Sequence, residues 1–234
     1  SVLHLHVRDS QGGHSLDAGR YREAIAAIRE RVGDRMILQV TTEAFGIYDR
    51  RQQMALVREL QPEAASMALR ELCPDEASEA EAGEFFRELL DAGTWPQYIL
   101  YSAEEAVRFD TLRREGFFGC EAPFALAVLG RYRDSTEGTR VGLRRFLASA
   151  SLDEFPWAVC CIGHHEGDVL CRAAELGGHI RPGFESNRVL PNGQVARDNA
   201  HLLAEELGLI ARSDAALRPI ATAAWVREHL VSGP

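Results

Sequence analysis

VLHLHVRD, residues 2–9, is a short apolar run that carries two histidines at i and i+2 and ends in the polar cluster Arg8, Asp9 and Ser10. Alternate side chains of a strand point to one face, so the run predicts a buried strand presenting His4 and His6 side by side. Polar residues gathered where such a strand ends mark the active-site face of an α/β barrel. Strand histidines also serve as hydrogen-bonded core residues, and the spacing alone leaves that reading open.

Outward from this strand, β-branched and apolar runs alternate with longer amphipathic stretches rich in Glu and Arg, the pattern of βα units around a parallel sheet. Strands are expected over 2–7, 36–42, 64–69, 98–101, 124–129, 157–162 and 179–184. Helical spacing runs through 21–31, 53–60, 80–92, 103–114, 140–148, 168–176 and 194–207. Seven units are one short of a (β/α)8 TIM barrel, and the immediate start at a strand places the first βα unit upstream of this chain. The acidic, alanine-rich stretch 74–84 is expected as a solvated loop running into a helix. The last stretch, 215–230, is apolar at Ile220, Ala223, Trp225, Val226 and Leu230, and is expected to cap the barrel or pack on another subunit.

With 234 residues and 46% hydrophobic content the chain can bury a large core, and one domain over 1–234 is expected. A net charge of -9 argues against a nucleic-acid partner, and no segment reaches the roughly 20 apolar residues of a membrane span. The five cysteines, odd in number and without CxxC spacing, fit a reducing compartment, so a cytoplasmic protein is expected. All 26 basic residues are arginine. The lack of lysine excludes Schiff-base chemistry, a GK[ST] phosphate loop and a metal pair bridged by carbamylated lysine.

Polar residues collect at the expected strand ends: Gln39, Thr41, Thr42 and Glu43; Tyr101 and Ser102; His164, His165 and Glu166; and Arg181, Glu185, Ser186 and Asn187. Two imidazoles and one carboxylate with an open position are the ligands of a catalytic zinc, which points to His4, His6 and Glu185, although cobalt, nickel or iron would also suit that set. Arg181 is a candidate for a substrate carboxylate, with a salt bridge to Glu185 as the structural alternative. Gly177-Gly178 permits close backbone approach, and Pro182-Gly183 interrupts a regular ladder. His14 and His179 are candidate outer partners of the metal ligands, with surface or core roles as the alternative.

Taken in order, HLHVRD (4–9), GGHSLD (12–17), LQVTTE (38–43), PEAAS (62–66), IGHHE (162–166), GGHIRPGFESN (177–187) and ARDNAHLLAEELG (196–208) resemble the β-keto acid cleavage enzymes. The resemblance implies a zinc-dependent (β/α)8 barrel that exchanges a β-keto acid with acetyl-CoA, giving acetoacetate and a new acyl-CoA. It implies zinc on His4, His6 and Glu185, Arg181 as the active-site arginine, Thr42 and Asn187 among the substrate contacts, and a homo-oligomer. The chain also departs from the family. Ser186 stands where an aspartate normally abstracts a proton, Ile99 and Ser102 stand where acids are expected, and Cys73-Pro74 replaces Asn-Phe. Glu43, where the family continues with glycine, is a candidate relocated base. A degenerate barrel that binds metal and carboxylate without turnover, or a zinc hydrolase that does not use CoA, are the alternatives.

Overall fold

The computed structural model describes residues 1–131, 138–151, 154–213 and 218–231, which form two compact units. The first comprises Ser1–Ile99, Leu112–Pro123 and Ile220–Pro234, and the second Leu100–Thr111 and Phe124–Pro219.

In the first unit β1 (Val2–Leu5) runs into a two-stranded antiparallel hairpin, β2 (Val7–Arg8) and β3 (His14–Ser15). Its turn is set by Asp9, whose carboxylate accepts from the backbone N–H of Gln11 and Gly13 at 2.8 and 2.7 Å. A Cβ at position 13 would sit 2.7 Å from that carboxylate, so a larger residue there would displace the side chain that sets the turn. Helix α1 (Ala18–Val32) follows, capped by Asp17, and leads to β4 (Ile37–Thr41). Then come α2 (Arg50–Leu60), opened by an Asp49–Gln52 capping box, β5 (Ala64–Ala68), the one-turn α3 (Leu69–Leu72), α4 (Glu79–Asp91) and β6 (Trp95–Leu100). The order is β1-β4-β5-β6, all parallel, with His4 opposite Gln39 and Thr41 opposite Ser66. Every residue of β4, β5 and β6 is buried, as parallel strands covered on both faces must be.

Tyr21, fully buried on α1, sends its hydroxyl to the carbonyls of Leu5 and Thr41 at 3.4 and 3.3 Å. One helix side chain thereby holds the carboxyl ends of β1 and β4 together. Phe86, Tyr98 and Phe118 fill the core beyond them, ring on ring at 5.0 and 4.3 Å. The closing segment returns to this unit through Arg227, which meets the Glu63 carboxylate at 2.6 Å and the Asp34 carbonyl at 2.7 Å. Among the described residues it contains the helix Ala223–Val226 and a π-turn over Arg227–Val231; residues 215–217 of the expected closing stretch lie outside the described residues.

The second unit contains α5 (Ala103–Arg114, its last three residues in the first unit), β7 (Phe124–Leu129), α6 (Arg140–Leu147), β8 (Trp157–Cys161), α7 (Glu166–Glu175), β9 (His179–Ile180) and α8 (Asn199–Ala211). β7, β8 and β9 pair in parallel in that order. Strand β9 is shorter than expected because Pro182 has no N–H to continue the ladder, which ends with Arg181 N–H on the Val159 carbonyl at 2.8 Å. The acidic stretch 74–84 is mostly structured, as a 3-10 turn over Glu76–Ser78 and the first turns of α4. The molecule is thus an α/β protein with seven parallel strands among the described residues, consistent with a TIM-like barrel. No described helix is long and apolar enough to cross a membrane.

Gly178 lies flat against Trp157, and a Cβ there would overlap the indole ring. Gly178→Ala is expected to cost about 3 kcal/mol in urea unfolding, a typical penalty for overpacking a core.

Candidate functional site

Only His4 of the histidine pair lies in a regular strand; His6 follows it at the bend between β1 and β2. The rings are nonetheless side by side, centroids 4.8 Å apart and nearly perpendicular, with the two Nε2 atoms 2.9 Å from each other. Behind His4, Nδ1 meets Oε1 of Gln39 at 2.9 Å, a contact the β1–β4 register dictates. A ring that donates at Nδ1 presents a lone pair at Nε2.

The hairpin brings a third imidazole close, since β2–β3 pairing places His14 with its ring 5.7 Å from that of His6. Its Nε2 donates to the Glu43 carbonyl at 2.7 Å, and so fixes the chain just past β4. Glu43 turns its carboxylate toward the pair, with Oε2 3.9 Å from His6 Nδ1 and the side chain 11% exposed. Thr41 Oγ1 accepts the Glu43 N–H, while the Thr42 backbone N–H and hydroxyl both go to the Ser66 carbonyl. His4, His6, His14 and Glu43 are therefore one cluster in the first unit, with Thr42 buried at its edge.

In the second unit the GGHIRPGFESN stretch follows β9. Arg181 sits 3.8 Å from Glu185, an exposed residue, so the expected ion pair forms only loosely. Arg181 is largely buried, and one of its terminal nitrogens, Nη1, has no hydrogen-bond partner among the described residues. Burial disfavours the charge of Arg181, but the neighbouring Cys160 and Glu185 outweigh it and hold the guanidinium raised. Ser186 places its hydroxyl 2.9 Å from the Cys160 sulfur, which also hydrogen-bonds Arg181. Nothing in the periodicity of 157–162 distinguishes Cys160 from a small core residue. Only its proximity in the fold to Ser186 and Arg181 does.

Asn187 is built into the scaffold. Its amide donates to Glu166 Oε2 and to the Val189 carbonyl, and accepts from the Val189 N–H. His164 and His165 are exposed, and Glu166 opens α7 fully buried. His179 stacks near Phe124 at 5.7 Å, and burial lowers its pKa.

Comparison with known proteins adds a second line. The model of the beta-keto acid cleavage enzyme family matches residues 1–231. A "3-keto-5-aminohexanoate cleavage enzyme" from Fusobacterium nucleatum subsp. nucleatum is 30% identical over 222 residues, covering 89% of this chain and 78% of that protein. One of the same name from Acetoanaerobium sticklandii is 26% identical over 241 residues, covering 98% and 83%. Among solved structures, the spore coat polysaccharide biosynthesis protein spsE from Bacillus subtilis superposes with a TM-score of 0.53 at 16% identity, over 91% of this chain. This chain covers 56% of that structure, and the likeness concerns the fold alone.

Glu166 offers a titration test of the second unit. Burial, reinforced by Glu206 on α8, lifts its carboxyl from 4.5 to about 7, against the opposing hydrogen bond from Asn187. The folded chain therefore holds a proton that the unfolded chain releases above pH 4.5, so stability is greatest below that value and falls as pH rises through about 7. Between pH ~5 and ~8, urea unfolding of the wild type should lose about 3 kcal/mol more than that of Glu166→Gln, which keeps the Asn187 contact without titrating.

Proposed function

The chain belongs to the beta-keto acid cleavage enzyme family, and from that premise we propose that it is a zinc enzyme exchanging a β-keto acid with acetyl-CoA to give acetoacetate and an acyl-CoA. The observation that carries the metal is the 2.9 Å approach of two imidazole Nε2 atoms, one of them held as a lone-pair donor by Gln39. That donor set fits a divalent transition metal, and Glu185 is the carboxylate assigned as its third ligand. Zinc, when bound, would act as a Lewis acid toward the keto group.

The remaining work falls to the chain's own side chains. Arg181 offers an unpartnered N–H from a largely buried guanidinium, the donor needed to grip a substrate carboxylate in a fork. Glu43, beside His6, is assigned the proton transfer that Ser186 cannot perform as a hydroxyl. Thr42 lines the cluster, and Ser186 with Cys160 fixes the guanidinium from behind. We assign the protein to the cytoplasm as a homo-oligomer, after the habit of the family.

A second reading draws on Ser186 itself. Where the family has an acid, this chain has a hydroxyl engaged with Cys160. That favours a barrel that binds metal and a small carboxylate without turnover, or a zinc hydrolase independent of CoA.

Metal content and acetyl-CoA-dependent acetoacetate formation over a panel of β-keto acids decide among the readings. About one zinc per wild-type chain, lost in His6→Ala, together with acetoacetate, is expected. Glu43→Gln should keep the metal while turnover falls by about 100- to 10,000-fold. Zinc without acetoacetate favours the second reading, and no zinc at all returns His4 and His6 to a core role.

A further inference from the structure

We propose that Gln39 is a positioning residue for the metal: it sets the tautomer of His4 and so makes the histidine pair competent to bind. This inference rests on the zinc reading above and names the group that prepares the site for the ion.

Gln39 is the central residue of β4, 1% exposed and flanked along the strand by the apolar Leu38 and Val40. Parallel pairing sets it opposite His4, on the same face, so its amide can reach only the back of that ring. Oε1 takes the Nδ1 proton at 2.9 Å. With the proton held there, Nε2 of His4 is an acceptor, and in the metal-free chain His6 must donate from its own Nε2 across the 2.9 Å contact. For a metal to take both Nε2 lone pairs, the His6 proton would move from Nε2 to Nδ1, the nitrogen 3.9 Å from the Glu43 carboxylate, while His4 already holds its own proton on the far side.

The other end of the same amide argues that stability is not why Gln39 is there. Its Nε2 is buried with no hydrogen-bond partner among the described residues. An orphaned buried donor destabilises a fold, and an apolar residue of similar volume would relieve it. The burden is understandable if Oε1 does work at His4 that leucine cannot do. Metal-bound histidines are commonly fixed by such an acceptor on the distal nitrogen, and losing it typically weakens metal binding by 10- to 100-fold.

The test uses the full chain in three forms: wild type, Gln39→Leu and Gln39→Glu. Zinc affinity is measured by competition with a chromophoric chelator, and the His4 tautomer of the metal-free protein by 15N NMR. Gln39→Leu should melt no lower than the wild type when metal-free, yet lose the Nδ1–H tautomer and bind zinc about 10- to 100-fold more weakly. Gln39→Glu, which keeps the acceptor, should restore both the tautomer and the affinity. Zinc binding in Gln39→Leu as tight as in the wild type, or an equal loss in Gln39→Glu, overturns this inference alone. A wild type that takes up no zinc overturns the metal reading and this inference with it.

Discussion

With no cation between them, two imidazole nitrogens cannot sit 2.9 Å apart unless one carries a proton and the other does not. That constraint organises the first unit. The proton inventory is decided one residue away, by an amide on the neighbouring strand, and the strand register decides which amide is available. A slip of one residue in β1–β4 pairing would turn Gln39 to the opposite face and put Leu38 or Val40 behind His4. Tyr21 guards against that slip, because its hydroxyl reaches the ends of both strands at once. The distant closing segment contributes too. Arg227 and Arg29 share the Glu63 carboxylate, and Arg227 also takes the Asp34 and Met36 carbonyls at the entry to β4.

Much of this architecture is legible in the sequence. β7 and α5 fall where apolar runs and helical spacing put them, because each has a local start signal, Pro123 before β7 and Ser102 before α5, whose hydroxyl accepts the Glu105 N–H at 3.3 Å. Where boundaries moved, a long-range partner or a cap decided. β6 begins at Trp95, three residues before its apolar run is obvious, because Trp95 and Pro96 pair with Ala64 and Ala65 on β5. α8 begins at Asn199 because Asp198 caps it, while Val195, four residues before the helix, bridges back to Val189.

The site divides the same way. His4 and His6 announce themselves by spacing, and Arg181 and Glu185 by motif. Gln39 and Cys160 do not, since each acquires its role only from a neighbour distant in sequence: 35 residues for Gln39 and His4, 26 for Cys160 and Ser186. His14 lies between the two cases. Its glycine loop is visible as a turn, but only the hairpin register shows that the turn delivers an imidazole to the Glu43 carbonyl.

Ser186 changes the electrostatics of the second unit more than its size suggests. An aspartate there would place a second carboxylate next to Arg181. With serine, the guanidinium keeps one loosely held acid, Glu185 at 3.8 Å, beside the Cys160 sulfur and the Ser186 hydroxyl that contacts it. A positive charge that is largely buried and incompletely paired is costly, and a negative ligand relieves the cost. The missing acid thus has two opposite consequences on the proposed reading. It removes a proton acceptor, and it leaves Arg181 more in need of an anionic partner, with its Nη1 unpartnered among the described residues. On the proposed reading, then, binding of a carboxylate is the part of the chemistry that this substitution strengthens.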